Sequence, residues 1–157
     1  MANRKYKDTV FRAFFNHERE IAALYQAIRP ADDVRAEDIT ITTLDDVFLD
    51  QQKNDLSFLW KDQAVILVEH QSSINPNMPY RLLIYSALVM LANFMDSKAQ
   101  YGTKLVRIPA PHFYVLYIGD DMEADEDMLK LSAAFKEKGA DLELVCHVIN
   151  ITYGSVK

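Results

Sequence analysis

The 157-residue chain is half hydrophobic and a quarter charged, which suits one domain, residues 1–157, with a full core and leaves no room for two comfortable ones. A single cysteine, Cys146, excludes an internal disulfide and a cysteine-rich zinc site, and favours a cytosolic setting. The formal net charge of −6 runs against the basic balance of most nucleic-acid-binding domains.

The amino terminus, Met1-Ala2-Asn3-Arg4-Lys5, carries basic residues but no apolar segment behind them of the kind a secretory signal needs. Leu82 to Phe94 is apolar but short, and Asp96 and Lys98 close it before it reaches a membrane span. A cytoplasmic protein with no membrane partner is expected. From Lys5 to Phe15 the residues Tyr6, Val10, Phe11, Phe14 and Phe15 recur at helical spacing and predict a helix with one buried stripe. Asn16 is placed to cap a second helix, with Glu18 and Glu20 in its first turns, Ile21, Leu24, Tyr25 and Ile28 along it, and Pro30 at its end. Ala31 to Asp38 is a polar loop, and the β-branched run Ile39 to Leu44 is a strand. Asp45 to Lys53 either continues that strand or bends into the next; Asp45, Asp46 and Asp50 read as a solvated turn rather than as ligands.

Asn54 to Ser73 organises the chain. Leu56 to Trp60 and Ala64 to Gln71 are two apolar runs separated by Lys61-Asp62-Gln63, a hairpin pattern with a turn longer than the tightest kind. If Trp60 pairs with Ala64, Asp55 lands opposite Glu69, because paired residues of an antiparallel ladder share a face. Val65, Leu67, Glu69 and Gln71 then point one way, and Ile66, Val68 and His70 the other. Glu69 and Gln71 are neighbours roughly 6.6 Å apart along the strand. Two carboxylates and an amide thus converge on a face that is apolar farther along, and with no Lys or Arg in either strand a divalent cation is the natural counter-charge.

Ser72 to Pro79 is a loop, with Pro79 suited to the first turn of a helix from about Tyr80 to Lys98 that is apolar nearly all round, and so buried on most sides or laid over the sheet. Arg81 stands at its start; it binds a phosphate or braces the carboxylates, or else forms a surface ion pair, and the sequence leaves these open. Tyr101-Gly102 breaks the chain. His112 to Ile118 is a strand whose continuous apolar run suits a sheet covered on both faces. Gly119 to Asp127 is a solvated acidic loop without the EF-hand pattern, Met128 to Lys138 a modest amphipathic helix capped by Gly139, and Leu142 to Ile151 the last strand. His17, His70, His112 and His147 make no zinc pattern, and His70 is aimed away from Glu69. Ser57, Ser72 and Ser73 lack a hydrolase elbow, and no glycine-rich phosphate loop exists.

Asp55, followed fourteen positions on by Glu69-His70-Gln71, resembles the Asp…Glu-x-Lys signature of PD-(D/E)XK nucleases, with Gln71 where Lys is usual. More specifically, Asn54 to Phe58 together with the block Glu69 to Arg81 is similar to the recombination-promoting nuclease / putative transposase family of bacteria. The similarity continues through Ile108 to Gly119, Leu129 to Ser132 and Asn150 to Gly154. The resemblance implies an α/β fold with a restriction-endonuclease-like core, a central mixed sheet of four to five strands flanked by helices. The element order helix, helix, strand, strand, strand, helix, strand, helix, strand agrees with its α-β-β-β-α-β core plus an extra helix and strand.

The implied activity is metal-dependent hydrolysis of DNA phosphodiester bonds, associated with recombination or transposition. Asp55 and Glu69 would be the ligands of Mg²⁺ or Mn²⁺, which suit an oxygen-only site better than zinc. By resemblance, the main-chain carbonyl of His70 would be a third oxygen, Gln71 would hold the attacking water without changing protonation state, and Glu20 is the candidate accessory acid from the first helical region. The stronger reading of Glu20 is structural, as an early acidic residue that favours the helix dipole. Three explanations meet the net charge: a metal site that tolerates acidity, a missing basic segment, or no nucleic acid at all. The resemblance favours the second, since family members look longer, with a helical carboxy-terminal part. DNA is then the expected partner, with homodimerisation open. The alternative is a catalytically silent nuclease-fold module for protein contact or self-association.

Overall fold

The computed structural model describes residues 10–43, 55–96, 98–120, 122 and 124–152. Residues 10–14 are helical, and α1 spans Glu18–Ile28. The strands are β1 (Ile39–Ile41), β2 (Leu56–Trp60), β3 (Ala64–Gln71), β4 (Ala110–Tyr117), β5 (Glu126–Lys130) and β6 (Val145–Asn150), and α2 (Met78–Phe94) links β3 to β4. They form one mixed sheet in the order β1-β2-β3-β4-β6-β5. The first two pairings and the β6-β5 pairing are antiparallel, whereas β3-β4 and β4-β6 are parallel. A parallel neighbour needs a long crossover, and α2 supplies it. Among the described residues no helix is long and apolar enough to cross a membrane.

The hairpin register is the one that alternation implies: Trp60 pairs with Ala64 and Leu56 with Val68. Its turn places Lys61 and Asp62 in the left-handed region, both at φ 53°, and Gln63 N–H donates to Trp60 O (3.1 Å). The central strands β3 and β4 are covered on both sides. Val65 and Leu67 pack with Leu59, Phe113, Val115 and Tyr117 beneath Met78, Leu82, Tyr85 and Val89 of α2. Ile66 and Val68 pack with Leu56, Phe58 and Leu116 beneath Ile21 and Tyr25 of α1, with Phe11 at the margin. Burial on two faces explains why β3 and β4 read as unbroken apolar runs rather than as alternating ones.

The helices start and stop for local reasons. Ile21, Leu24, Tyr25 and Ile28 give α1 its apolar stripe, and its first turn holds Glu18 and Glu20. Its N-cap is His17 without a side-chain bond, not Asn16. Pro79 takes an initial position of α2, where a missing N–H costs nothing. This helix ends at Phe94, because Asp96 Oδ1 accepts from the N–H groups of Lys98 (2.9 Å) and Ala99 (3.1 Å) and begins a separate turn. Tyr80 and Leu91 are exposed, so α2 covers the sheet with one side only.

Two expectations from the sequence are corrected. No helix spans Met128 to Lys138: Glu126–Lys130 is strand β5, and Leu131–Ala134 is a short 3₁₀ turn that buries Leu131. The open edge of β6 needs backbone partners, and pairing Leu129 with Cys146 satisfies it, which outweighs a weak helical preference. The sheet therefore has six strands rather than four to five. Lys5 to Thr9 of the first helix, Leu44 of the first strand and Asp45 to Lys53 lie outside the described residues.

Candidate functional site

The β2-β3 ladder ends at the pair Leu56 and Val68. At the next pair the strands part, and side chains replace main-chain carbonyls as acceptors. Asp55 N–H donates to Glu69 Oε1 (3.1 Å), and His70 N–H donates to Asp55 Oδ2 (2.9 Å). The two carboxylates are thereby fixed by backbone groups of opposite strands, at the end of an apolar face.

Glu69 is buried, at 2 % exposure, under the first turns of α2. Arg81 of that helix donates to Glu69 Oε2 (3.2 Å) and to the Tyr85 hydroxyl (3.3 Å). Arg12 Nε stands 4.0 Å from Asp55 Oδ1. Gln71 is buried; its Nε2 donates to the Met78 sulfur, while its Oε1 has no hydrogen-bond partner among the described residues. His70 turns to the other face, its ring stacked on Phe11 at 5.0 Å, so only its backbone belongs to the site. Burial, reinforced by the charge of Asp55, pushes the Glu69 carboxyl above the ordinary carboxylate range; the Asp55 N–H, Arg81 and Arg12 pull against this and offset only part of it.

Asp55, Glu69, Gln71 and Arg81 thus come together. Arg81 braces a carboxylate, one of the roles the sequence left open. The counter-charge expected from an ion alone is here a pair of guanidinium groups, one on each acid. Glu20 does not join them: no group of three or more His, Cys, Asp or Glu side chains suited to a metal exists among the described residues. Sequence reasoning missed Arg12, Met78 and Tyr85. Tyr85 was findable, because it lies four residues after Arg81 and so on the same side of one helix. Arg12 was not, since no pattern links a first-helix residue to a strand more than forty positions away.

The donor set fits a hard divalent ion in kind. Asp55 Oδ1 and Glu69 Oε2 face cationic groups, and Gln71 Oε1 is a buried oxygen without a hydrogen-bond partner among the described residues. Two carboxylate oxygens and one amide oxygen suit Mg²⁺ or Mn²⁺ once Glu69 gives up the proton that its burial favours. Binding at Glu69 would require Arg81 to release Oε2. Compared with family models, curated proteins and solved structures, the chain finds no match.

Proposed function

We propose that the protein is a metal-dependent DNA endonuclease of the PD-(D/E)XK kind, in the recombination-promoting nuclease / putative transposase family. The observation that carries the reading is the parting of β2 and β3 at Asp55 and Glu69, with Gln71 one step along on the same strand face. The antiparallel hairpin, the α2 crossover and the parallel β4 support the α-β-β-β-α-β arrangement that the resemblance implies.

A bound Mg²⁺ or Mn²⁺ would supply charge neutralisation and a more acidic water at the scissile phosphate. Asp55 and Glu69 would hold it, each kept in place by a backbone N–H of the other strand. Gln71 offers an amide that can orient a water but takes no proton, so it is not itself the general base. Arg81, once off Glu69, offers a guanidinium whose fork geometry suits a phosphate oxygen.

The Arg81–Glu69 and Arg12–Asp55 pairs favour a second reading, a catalytically silent module whose acids are already neutralised. One experiment separates the two. Supercoiled plasmid is incubated with the purified chain and Mn²⁺ or Mg²⁺, and Mn²⁺ binding is measured by electron paramagnetic resonance. Nicked circles, lost in Asp55→Asn, with saturable Mn²⁺ binding lost in Glu69→Gln, are expected. No nicking together with no saturable binding at millimolar Mn²⁺ overturns the nuclease and leaves the silent module.

A further inference from the structure

The face of the sheet under α1 is only partly covered. The α1-side core takes residues from β1 to β4 and reaches β6 only at Ile149, whereas Met128 and His147 on the same face are exposed. Beyond the end of α1 lies a cavity of about 600 Å³, walled by Ile28 and Arg29 on one side and by β5 on the other. That volume is in the range of small-molecule sites.

Strand registers arrange its groups in rows. His147 pairs with Tyr114 on one side and with Met128 on the other, and the Tyr114 and His147 rings lie 5.7 Å apart. Two residues toward the hairpin-turn end, on the same face, come His112 of β4 and Lys130 of β5. Two residues the other way come Ile149 and Glu126. The Arg29 guanidinium lines the cavity together with Tyr114 and is paired with Asp32 at 2.9 Å. His112, His147 and Lys130 make no ion pair among the described residues, in a chain whose net charge is −6. The cavity therefore has a basic end, a middle row of two rings, and an acid at the far end, with Lys130 and Glu126 roughly 13 Å apart along the strand. Asp127 also lines the rim, but its Oδ1 accepts from the Met128 N–H (2.7 Å).

We propose that this cavity binds a mononucleotide bearing an exocyclic amine, its phosphate between Arg29, His112 and Lys130, its base on Tyr114 and His147, and its amine toward Glu126. Three basic groups meet a phosphate monoester, flat rings meet a base, and one carboxylate meets a hydrogen-bond donor. His112 is held below the ordinary histidine range by burial, then by Arg29 and by His147; an anion among the three relieves the last two effects. The inference is independent of the nuclease reading, because Asp55 and Glu69 take no part in it.

The test is a titration of the full chain with AMP, followed by the imidazole proton resonances and assigned with His112→Asn and His147→Asn. His112 and His147 are expected to shift saturably, while His17 and His70 stay fixed as internal references. Lys130→Gln, an exposed substitution, weakens binding about tenfold, the loss of one charge-assisted contact. Inorganic phosphate and thymidine monophosphate, which lacks the amine, bind more weakly than AMP. Absence of a saturable shift at millimolar AMP, an unchanged affinity in Lys130→Gln, or equal affinity for inorganic phosphate overturns the proposal.

Discussion

Glu69 carries a large electrostatic cost. It lies under α2, beside a second carboxylate, with one backbone N–H and one guanidinium against it. Burial and the Asp55 charge raise its folded-state pKa above the unfolded value. The folded protein then holds that proton more tightly than the unfolded chain. Its contribution to stability is fully present below the ordinary carboxylate range and is lost as pH rises toward the raised folded value. Glu69→Gln keeps an oxygen for the Asp55 N–H but does not titrate. Between about pH 5 and about pH 8 the melting temperature of the native protein should fall more than that of Glu69→Gln. Parallel curves in thermal melts across that range would mean that the carboxyl titrates as an ordinary surface acid. A divalent ion binds the charged form and so opposes this trend; saturating Mn²⁺ should flatten the native curve as well.

At the scale of elements, the hairpin was the most legible part of the sequence. Alternation in Val65 to Gln71 and a three-residue turn fixed which side chains oppose one another, and local geometry alone enforces that. The α2 crossover was legible for a similar reason, with Pro79 at its start. What failed was Glu126 to Lys138, where Met128, Leu129 and Leu131 satisfy a helical or an extended pattern equally; the unpaired edge of β6, invisible in the local sequence, decided between them. The site was half legible: the acids and the amide share one hairpin, whereas Arg12 arrives through tertiary packing. The close approach of β4's exit to β3's exit was also unreadable. A Cβ on Gly119 would collide with the Tyr117 hydroxyl and lie 2.6 Å from the Ser72 carbonyl oxygen, which follows Gln71 directly. That oxygen is backbone, so relief requires moving the end of β3. Gly119→Ala should cost about 1–3 kcal/mol in denaturant unfolding, as overpacking does, and disturb Gln71. A loss under about 0.5 kcal/mol, within the range of neutral surface changes, would show that the two exits are not tightly coupled.

For the molecule as a whole, the parallel strands settle where charge meets the candidate site. Gln71 is level with Tyr117, and Tyr117 with Asn150, so the ends of β3, β4 and β6 lie together. The chain leaving β4 carries exposed Asp120, Asp125, Glu126 and Asp127 at that same end. Against them stand Arg12 and Arg81, each engaged with a carboxylate. A polyanion approaching the proposed nuclease site therefore meets repulsion from the loop before it meets attraction from either guanidinium, and steering of this kind acts over about 10 Å at moderate salt. Asp120→Asn with Asp125→Asn removes two of these charges; the main-chain oxygen of Asp125 that accepts from Asn150 N–H (2.8 Å) is retained. With Ca²⁺ in place of Mn²⁺ to hold DNA without cleavage, the double variant should bind a short duplex several-fold more tightly at low salt. The gain should vanish near 1 M salt, where the screening length is about 3 Å. If neither form binds duplex DNA at low salt with Ca²⁺ or Mn²⁺, repulsion by these acids is not what keeps DNA away, and the carboxylate pair belongs to a fold whose partner is not DNA.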